Sequence, residues 1–260
     1  MQNNLGAGMA ILCLMFFSSF QIKMEGDLPG SAPQPPSASL IIRFQVYLHG
    51  QPMELNKMCR NPYGEPFEMT RLRFYAGKIS PVYLPAVKRS ISPSHYYLID
   101  LSDSTSTQIE IPVQPGSFRS LEFQLGIDSL DQNRGAQTGV LDPIKGMFWT
   151  WNSGYLTFKM EGVSEVSNQP AHLIAYHIGG YRSPFSTVWK IKLSQDETID
   201  LPVSSKIILE VVVELDHFFN GPLPIHIKEM ADCTTPGQLA RKISENFAGS
   251  FIGFKPISNP

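Results

Sequence analysis

The chain has 260 residues, which is enough for one large domain or two small ones. Hydrophobic residues make up 42% of it, charged residues only 17%, and proline (21) and glycine (20) are frequent. This composition is more typical of strands and turns than of a helical bundle. The formal net charge is -2, with no basic stripe or acidic tail, which argues against a nucleic acid as the partner.

The N-terminus has the pattern of an export signal. Residues 9–17 are apolar and Ser18 follows them, and this run is far shorter than the roughly 20 residues of a membrane-spanning helix. We therefore predict a signal peptide over residues 1–22 and no transmembrane segment in the mature chain. The alternative is a disordered apolar tail, since no Lys or Arg precedes the run. Residues 23–39 are rich in Pro, Ser and Gly and are predicted to be a linker, so the folded domain would cover residues 40–260.

Beyond the predicted linker, most segments alternate between apolar and polar residues. The clearest are TRLRFYA (70–76), QIEIPV (108–113), RSLEFQLGI (119–127), TVWKIKL (187–193) and KIILEVVVELD (206–216). A period of two is typical of strands with one buried face, and clusters of Pro and Gly separate these segments. We predict an all-β domain built as an antiparallel two-sheet β-sandwich.

One late segment has the period of a helix instead. Leu239, Ile243 and Phe247 recur every four residues. The pair Thr235–Pro236 suits an N-cap and a first helical position, and Gly249 suits the end of a helix. We predict one short C-terminal amphipathic helix that packs on a sheet.

Two cysteines, Cys59 and Cys233, remain if the signal peptide is removed. An even pair in an exported protein favours a disulfide. Closing so long a loop would stabilise the fold by up to about 5 kcal/mol in the chain-entropy model. The prediction is a disulfide, and the alternative is two free buried thiols.

The segment GMFWTWNSGY (146–155) contains two of the three tryptophans. In a single strand, Trp149 and Trp151 would share one face, which turns polar further on at Lys159 and Glu161. Three interpretations are open. The tryptophans could fill a core, form an aromatic platform for a flat ligand such as a sugar, or take part in a metal site.

The six histidines form no His-x-His, His-x3-His or HExxH motif. A metal site would therefore have to be assembled from distant segments. His177 is the most informative of them, because it precedes a glycine pair, where the backbone can approach a ligand closely. The chain has no nucleophile elbow, phosphate loop or paired-carboxylate signature, so we expect that it is not an enzyme.

Four segments, in this order, resemble the MbnP-like family. They are NPYGEPFEMTRLRFYAGKI (61–79), HYYLID (95–100), LGIDSLDQNRGAQTGVLDPIKGMFWTWNSGYLTFKMEG (125–162) and AYHIGGY (175–181). The resemblance implies an exported, all-β, non-catalytic copper-binding protein of the periplasm or cell envelope. It also implies, for some members, a partner of the dihaem cytochrome c peroxidase type that oxidises a tryptophan to kynurenine.

Carried onto this sequence, the resemblance implies that His177 is a copper ligand and that Trp149 or Trp151 is the oxidised residue. An indole offers a metal only an N–H donor and a π-face. Kynurenine has an aromatic amine and a ketone, so it can act as a nitrogen ligand beside an imidazole on copper(I).

The sequence departs from the family pattern in its first strand. In the family pattern a His often lies two residues after a Phe, whereas this chain has Val46 two residues after Phe44. His49 or His95 would have to take its place as a metal ligand. If neither does, the alternative function is a binding or scaffold β-sandwich of the cell envelope that has lost the metal site.

Overall fold

A computed structural model describes residues 37–85, 96–149 and 153–257. His95, Trp151, the predicted signal peptide and most of the predicted linker lie outside the described residues. The strands are β1 (Ala38–Leu48), β2 (Gln51–Pro52), β3 (Met58–Arg60), β4 (Pro66–Leu84), β5 (Tyr96–Asp100), β6 (Gln108–Val113), β7 (Gly116–Leu125), β8 (Leu156–Val163), β9 (Leu173–Gly179), β10 (Trp189–Leu201), β11 (Lys206–Glu214), β12 (Asp232–Cys233) and β13 (Phe251–Ile257). The helices are α1 (Ser129–Gln132), α2 (Asp216–Phe219) and α3 (Gln238–Gly249), and single 3-10 turns cover Gly139–Leu141, Pro143–Lys145 and Pro170–His172. Over the described ranges, none of the helices is long and apolar enough to cross a membrane.

The strands form two sheets that pack face to face. The smaller sheet has the order β13-β11-β1-β2, with β6 also paired to β1. The larger sheet has the order β10-β7-β4-β8-β9-β12, with β3 and β5 also paired to β4. Alternate apolar side chains from both inner faces meet in one buried cluster, in which Phe44 of β1 contacts Phe74 of β4 and Phe123 of β7. The predicted all-β sandwich with one short C-terminal helix is confirmed.

Two of the strand pairings are parallel. β1 pairs with β11 from Ser39 opposite Lys206 to Tyr47 opposite Glu214, and β12 pairs with β9. Both sheets are therefore mixed. Alternation in a sequence reveals which face of a strand is buried, but it is the same for a parallel and an antiparallel neighbour.

The C-terminal helix α3 differs from its prediction at its start. It begins at Gln238, after Gly237, and no side chain caps it, so the pair Thr235–Pro236 lies before the helix. Ile243 and Phe247 are fully buried as expected, but Leu239 is 41% exposed. Ala240 is buried on that face instead. With 3.6 residues per turn, alternating steps of three and four residues stay on one face of a helix, whereas repeated steps of four drift away from it.

The predicted disulfide is wrong, because Cys59 and Cys233 are both free thiols. Cys59 lies on β3, at the edge of β4, and Cys233 lies on β12, at the edge of β9. Since β4, β8 and β9 lie between them, four strand spacings separate the two cysteines. At about 4.8 Å per spacing this is roughly 19 Å along the sheet. A disulfide requires about 4.4–6.8 Å between its Cα atoms.

Candidate functional site

The tryptophan-rich segment is not a single strand, because the chain turns back on itself there as a hairpin. Phe148 and Tyr155 form an isolated antiparallel bridge, and the N–H of Trp149 donates to the carbonyl of Gly154 at 3.0 Å. The chain therefore reverses direction between Trp149 and Gly154. Our prediction of one strand through residues 146–155 is wrong on this point.

Gly154 is required for this reversal. Its φ is +72°, a conformation that strains any residue with a side chain. A Cβ atom at this position would lie 2.1 Å from Oε1 of Gln132. That oxygen accepts a hydrogen bond from the N–H of Tyr155 at 2.6 Å, and the amide of Gln132 donates to the carbonyls of Ile127 and Tyr155. Gln132 is buried, and its hydrogen bonds attach Tyr155, on the second side of the hairpin, to the loop that precedes the hairpin.

The hairpin and this loop cover the outer face of the larger sheet with a second core. Its buried members are Tyr75, Tyr96, Ile127, Leu141, Met147, Tyr155 and Leu156. Phe148 and Trp149 pack against this core while remaining partly exposed. The larger sheet is therefore buried on both sides here, which explains why both faces of the tryptophan-rich segment are apolar.

Trp149 lies over the end of β9. Its ring atom Cζ3 is 3.2 Å from the position that a Cβ atom on Gly179 would occupy. His177 is two residues before Gly179 on β9, so both positions face the same side of the sheet, about 7 Å apart along the strand. The structure therefore brings Trp149 to the face of the sheet from which His177 points.

His177 is held in place by a carboxylate on the neighbouring strand. Its Nε2 lies 2.8 Å from Oε1 of Glu161. Glu161 also forms ion pairs with Nζ of Lys159 at 3.0 Å and with Nη1 of Arg71 at 2.5 Å. When Nε2 of a neutral histidine donates to a carboxylate, Nδ1 carries the lone pair. This is the arrangement of a histidine that binds a metal through Nδ1.

The charges in this cluster favour a neutral imidazole beside an ionised carboxylate. Burial lowers the pKa of His177, and the charges of Lys159 and Arg71 act in the same direction against the hydrogen bond to Glu161. Burial alone would raise the pKa of Glu161, but hydrogen bonds from Lys159 and His177 outweigh it and hold that pKa below its ordinary value. Neutral imidazole is the form that binds metals.

His49 lies away from this cluster, and both of its ring nitrogens have partners. Nδ1 is 3.1 Å from Oδ2 of Asp216, and Nε2 is 2.9 Å from the carbonyl oxygen of Arg60. Val46, where the family pattern has a histidine, is only 2% exposed and packs in the main core. The structure thus gives His49 a position at the β1–β2 turn and does not bring it together with His177.

Glu161 is the residue of this cluster that sequence reasoning did not select. The period of two puts Glu161 on the same face as Lys159 and the tryptophans. Its contact with His177, however, depends on the pairing of β8 with β9, which sets Lys159 opposite His177. Within the described ranges, no three His, Cys, Asp or Glu side chains come close enough to hold a metal ion. Of the predicted metal ligands that the structure describes, His177 is the one on the same face of the sheet as Trp149.

Comparison with known proteins identifies the family and supports the fold. A sequence model of the MbnP family matches residues 37–235, a range that includes the hairpin and His177. Among solved structures, MbnP from Methylosinus trichosporium is similar, with a TM-score of 0.53 and 14% sequence identity, covering 76% of this chain and 83% of that chain. At this identity the likeness concerns the fold alone. No curated protein sequence matches the chain.

Proposed function

Because the chain belongs to the MbnP family, we propose that it is an exported, non-catalytic copper-binding protein of the periplasm or cell envelope. The observation that carries this proposal is the position of Trp149 over Gly179, on the face of β9 that also presents His177. A tryptophan that can become a ligand and a histidine with a suitable tautomer thus lie on one side of the sheet.

The residues on this face fit copper only after a chemical change. Indole itself is not a metal ligand, whereas kynurenine offers an aromatic amine and a ketone. We propose that Trp149 is the tryptophan that a dihaem enzyme of the cytochrome c peroxidase type oxidises to kynurenine. His177 would then supply an imidazole nitrogen, which copper(I) accepts, and Glu161 would fix the orientation of that ring.

Anaerobic titration with copper(I) tests the copper proposal. Protein co-expressed with the dihaem enzyme is expected to show the intact-mass change of one tryptophan-to-kynurenine conversion, located by peptide mapping. Its copper(I) affinity should fall in His177→Ala, and Glu161→Gln should weaken binding by roughly ten- to a hundredfold because the imidazole loses its support. His172→Ala is the matched control, since it removes an exposed histidine at the far end of β9.

Equal copper(I) affinities of the wild type and His177→Ala would contradict a site at His177. An unmodified mass after co-expression would contradict the oxidation of Trp149 separately. The two measurements are independent, so either part of the proposal can fail alone.

A second function is favoured by a specific observation in the first strand. Val46 is buried in the main core where the family pattern has a histidine, so a ligand from β1 is missing. This supports a binding or scaffold domain of the cell envelope that has lost the metal. Such a domain would bind no copper even after co-expression, and its aromatic face would contact a glycan or a protein.

A further inference from the structure

The larger sheet separates the two tryptophans that the structure describes. Trp149 packs against the second core on the outer face, whereas Trp189, at the start of β10, packs against the main core between the sheets. The two indoles therefore have different surroundings. Since the proposed function requires the oxidation of a tryptophan in the hairpin, the chemistry around Trp189 decides whether that residue is spared.

A cation covers the ring of Trp189. The guanidinium carbon of Arg241, on α3, lies 3.5 Å from the centroid of this ring. Arginine is always charged, and a cation within about 6 Å of an indole face is attracted by the negative π-face. The same charge opposes the loss of an electron from the ring, because the product would be a positively charged indole beside a positive guanidinium.

The indole N–H of Trp189 faces a partner that cannot take its proton. It donates to the hydroxyl oxygen of Ser244 at 2.9 Å, and this hydroxyl donates in turn to the carbonyl of Arg241 at 2.7 Å. Ser244 is fully buried. A neutral hydroxyl is a weak base, so the contact does not assist oxidation by removing the N–H proton. Arg241 and Ser244 are three residues apart on α3 and thus act on the same side of the helix.

We propose that Arg241 protects Trp189 from one-electron oxidation and so directs oxidative modification away from this residue. The step concerned transfers one electron from the indole to an oxidant, which is reduced by one electron. It leaves an indole radical cation, and at Trp189 the Nε1 proton passes to water only once the hydrogen bond to Ser244 opens. The proposal rests on the proposed function only in that a tryptophan is oxidised, and it requires neither copper nor the partner enzyme.

Photochemical oxidation of the full chain tests this proposal. A ruthenium(II) tris-bipyridine complex, illuminated with persulfate as electron acceptor, gives the one-electron oxidant ruthenium(III). Trypsin then releases Trp149 together with Trp151 in residues 146–159, where fragment ions distinguish the two. It releases Trp189 in residues 183–190, where it is the one readily oxidised side chain. We expect Arg241→Gln to accelerate the loss of unmodified peptide 183–190 by roughly three- to tenfold, the scale of a cation–π contact, and to leave the oxidation of Trp149 unchanged.

Two further variants show whether the charge is responsible. Lys242→Gln removes the same charge from the adjacent, exposed position and should leave the loss of Trp189 at the wild-type rate. Arg241→Lys keeps the charge and should remain close to the wild type. The proposal is overturned if Arg241→Gln and the wild type lose Trp189 equally fast. It is also overturned if Arg241→Lys loses it as fast as Arg241→Gln, because the side chain would then act by covering the ring.

The copper titration gives an independent result. If His177→Ala binds copper(I) as tightly as the wild type, the copper site fails while the protection of Trp189 stands. If Arg241→Gln does not change the oxidation of Trp189, the protection fails while the copper site stands. Circular dichroism of each variant establishes that it is folded before either comparison.

Discussion

His49 has hydrogen-bond acceptors on both sides of its ring. The carboxylate of Asp216 faces Nδ1, and the carbonyl oxygen of Arg60 faces Nε2. Both contacts can be hydrogen bonds only if both nitrogens carry protons, which is the imidazolium form. Burial would lower the pKa of His49, but the hydrogen bonds to Arg60 and Asp216 outweigh it and raise the pKa above its ordinary value. A charged His49 links the β1–β2 turn to β3 and α2, which is a structural role and not that of a metal ligand.

His49 is therefore expected to stabilise the fold more in acid than in base. Because its pKa is higher in the folded than in the unfolded state, its contribution is complete below the unfolded pKa and is lost as the pH rises through the folded one. The free energy of unfolding of the wild type minus that of His49→Gln should be larger at about pH 5.5 than at about pH 9, by at most about 1 kcal/mol because the side chain is half exposed. Urea unfolding at the two pH values measures this difference.

The partner residue supplies the control for this pH dependence. In an Asp216→Asn background the carboxylate is gone, so His49→Gln should have a smaller and flatter effect across the same range. A difference that grows toward high pH would contradict a protonated His49.

The residues of the candidate site differ in how far the sequence could predict them. The family resemblance pointed to His177 and to the tryptophan pair, and the structure places Trp149 on the same side of the sheet as His177. Glu161 could be found only by knowing that β8 and β9 are neighbours in a register that sets Lys159 opposite His177. Pairing across strands is a property of the fold, and local periodicity carries no information about it.

At the level of elements, alternation located the strands but missed a reversal of the chain. Leu121, Phe123 and Leu125 of β7 are buried as predicted, because one face of that segment is apolar and the other is polar. In the tryptophan-rich hairpin both faces are apolar, because the second core covers the outer side of the sheet. The apolar pattern therefore continues through the turn, and the Asn-Ser-Gly sequence before Tyr155 is the local signal of the reversal.

Helix α3 allows a direct test of which face is buried. The ring of Phe247 is fully buried and stacks on Phe158 with centroids 4.2 Å apart, whereas Leu239 is 41% exposed. Phe247→Ala should lower the free energy of unfolding by about 3–5 kcal/mol, since it removes contacts and leaves a cavity. Leu239→Ala should cost less than about 1 kcal/mol. Chemical denaturation of the two variants measures both values. Similar values would mean that α3 buries Leu239 as well as Phe247, as a spacing of four residues predicts.

On the scale of the whole molecule, non-covalent packing holds the two sheets together. The main core contains side chains from both sheets and from α3, including the edge-to-face contacts of Phe251 with Phe44, Phe74 and Phe247. The cysteines add no link, because Cys59 and Cys233 stand on strands that three others separate. The sequence could not exclude a disulfide, since an even number of cysteines is also compatible with two free thiols.

Reductant should therefore leave the stability of the protein unchanged. A disulfide between Cys59 and Cys233 would contribute about 5 kcal/mol in the chain-entropy model, so its loss would lower the melting temperature by roughly 10 °C or more. We expect calorimetry with and without reductant to give the same melting temperature. Peptide mapping after alkylation in denaturant, without prior reduction, should find both thiols modified.

The denaturant is necessary for that alkylation, because the native thiols are poorly reactive. Burial raises the pKa of Cys59 to about 11, so its thiolate is scarce at neutral pH. Cys59→Ser serves as the control, since it should respond to reductant as the wild type does. A melting temperature that falls with reductant in the wild type but not in Cys59→Ser would require β3 and β12 to be neighbours, and that would contradict the order of the larger sheet.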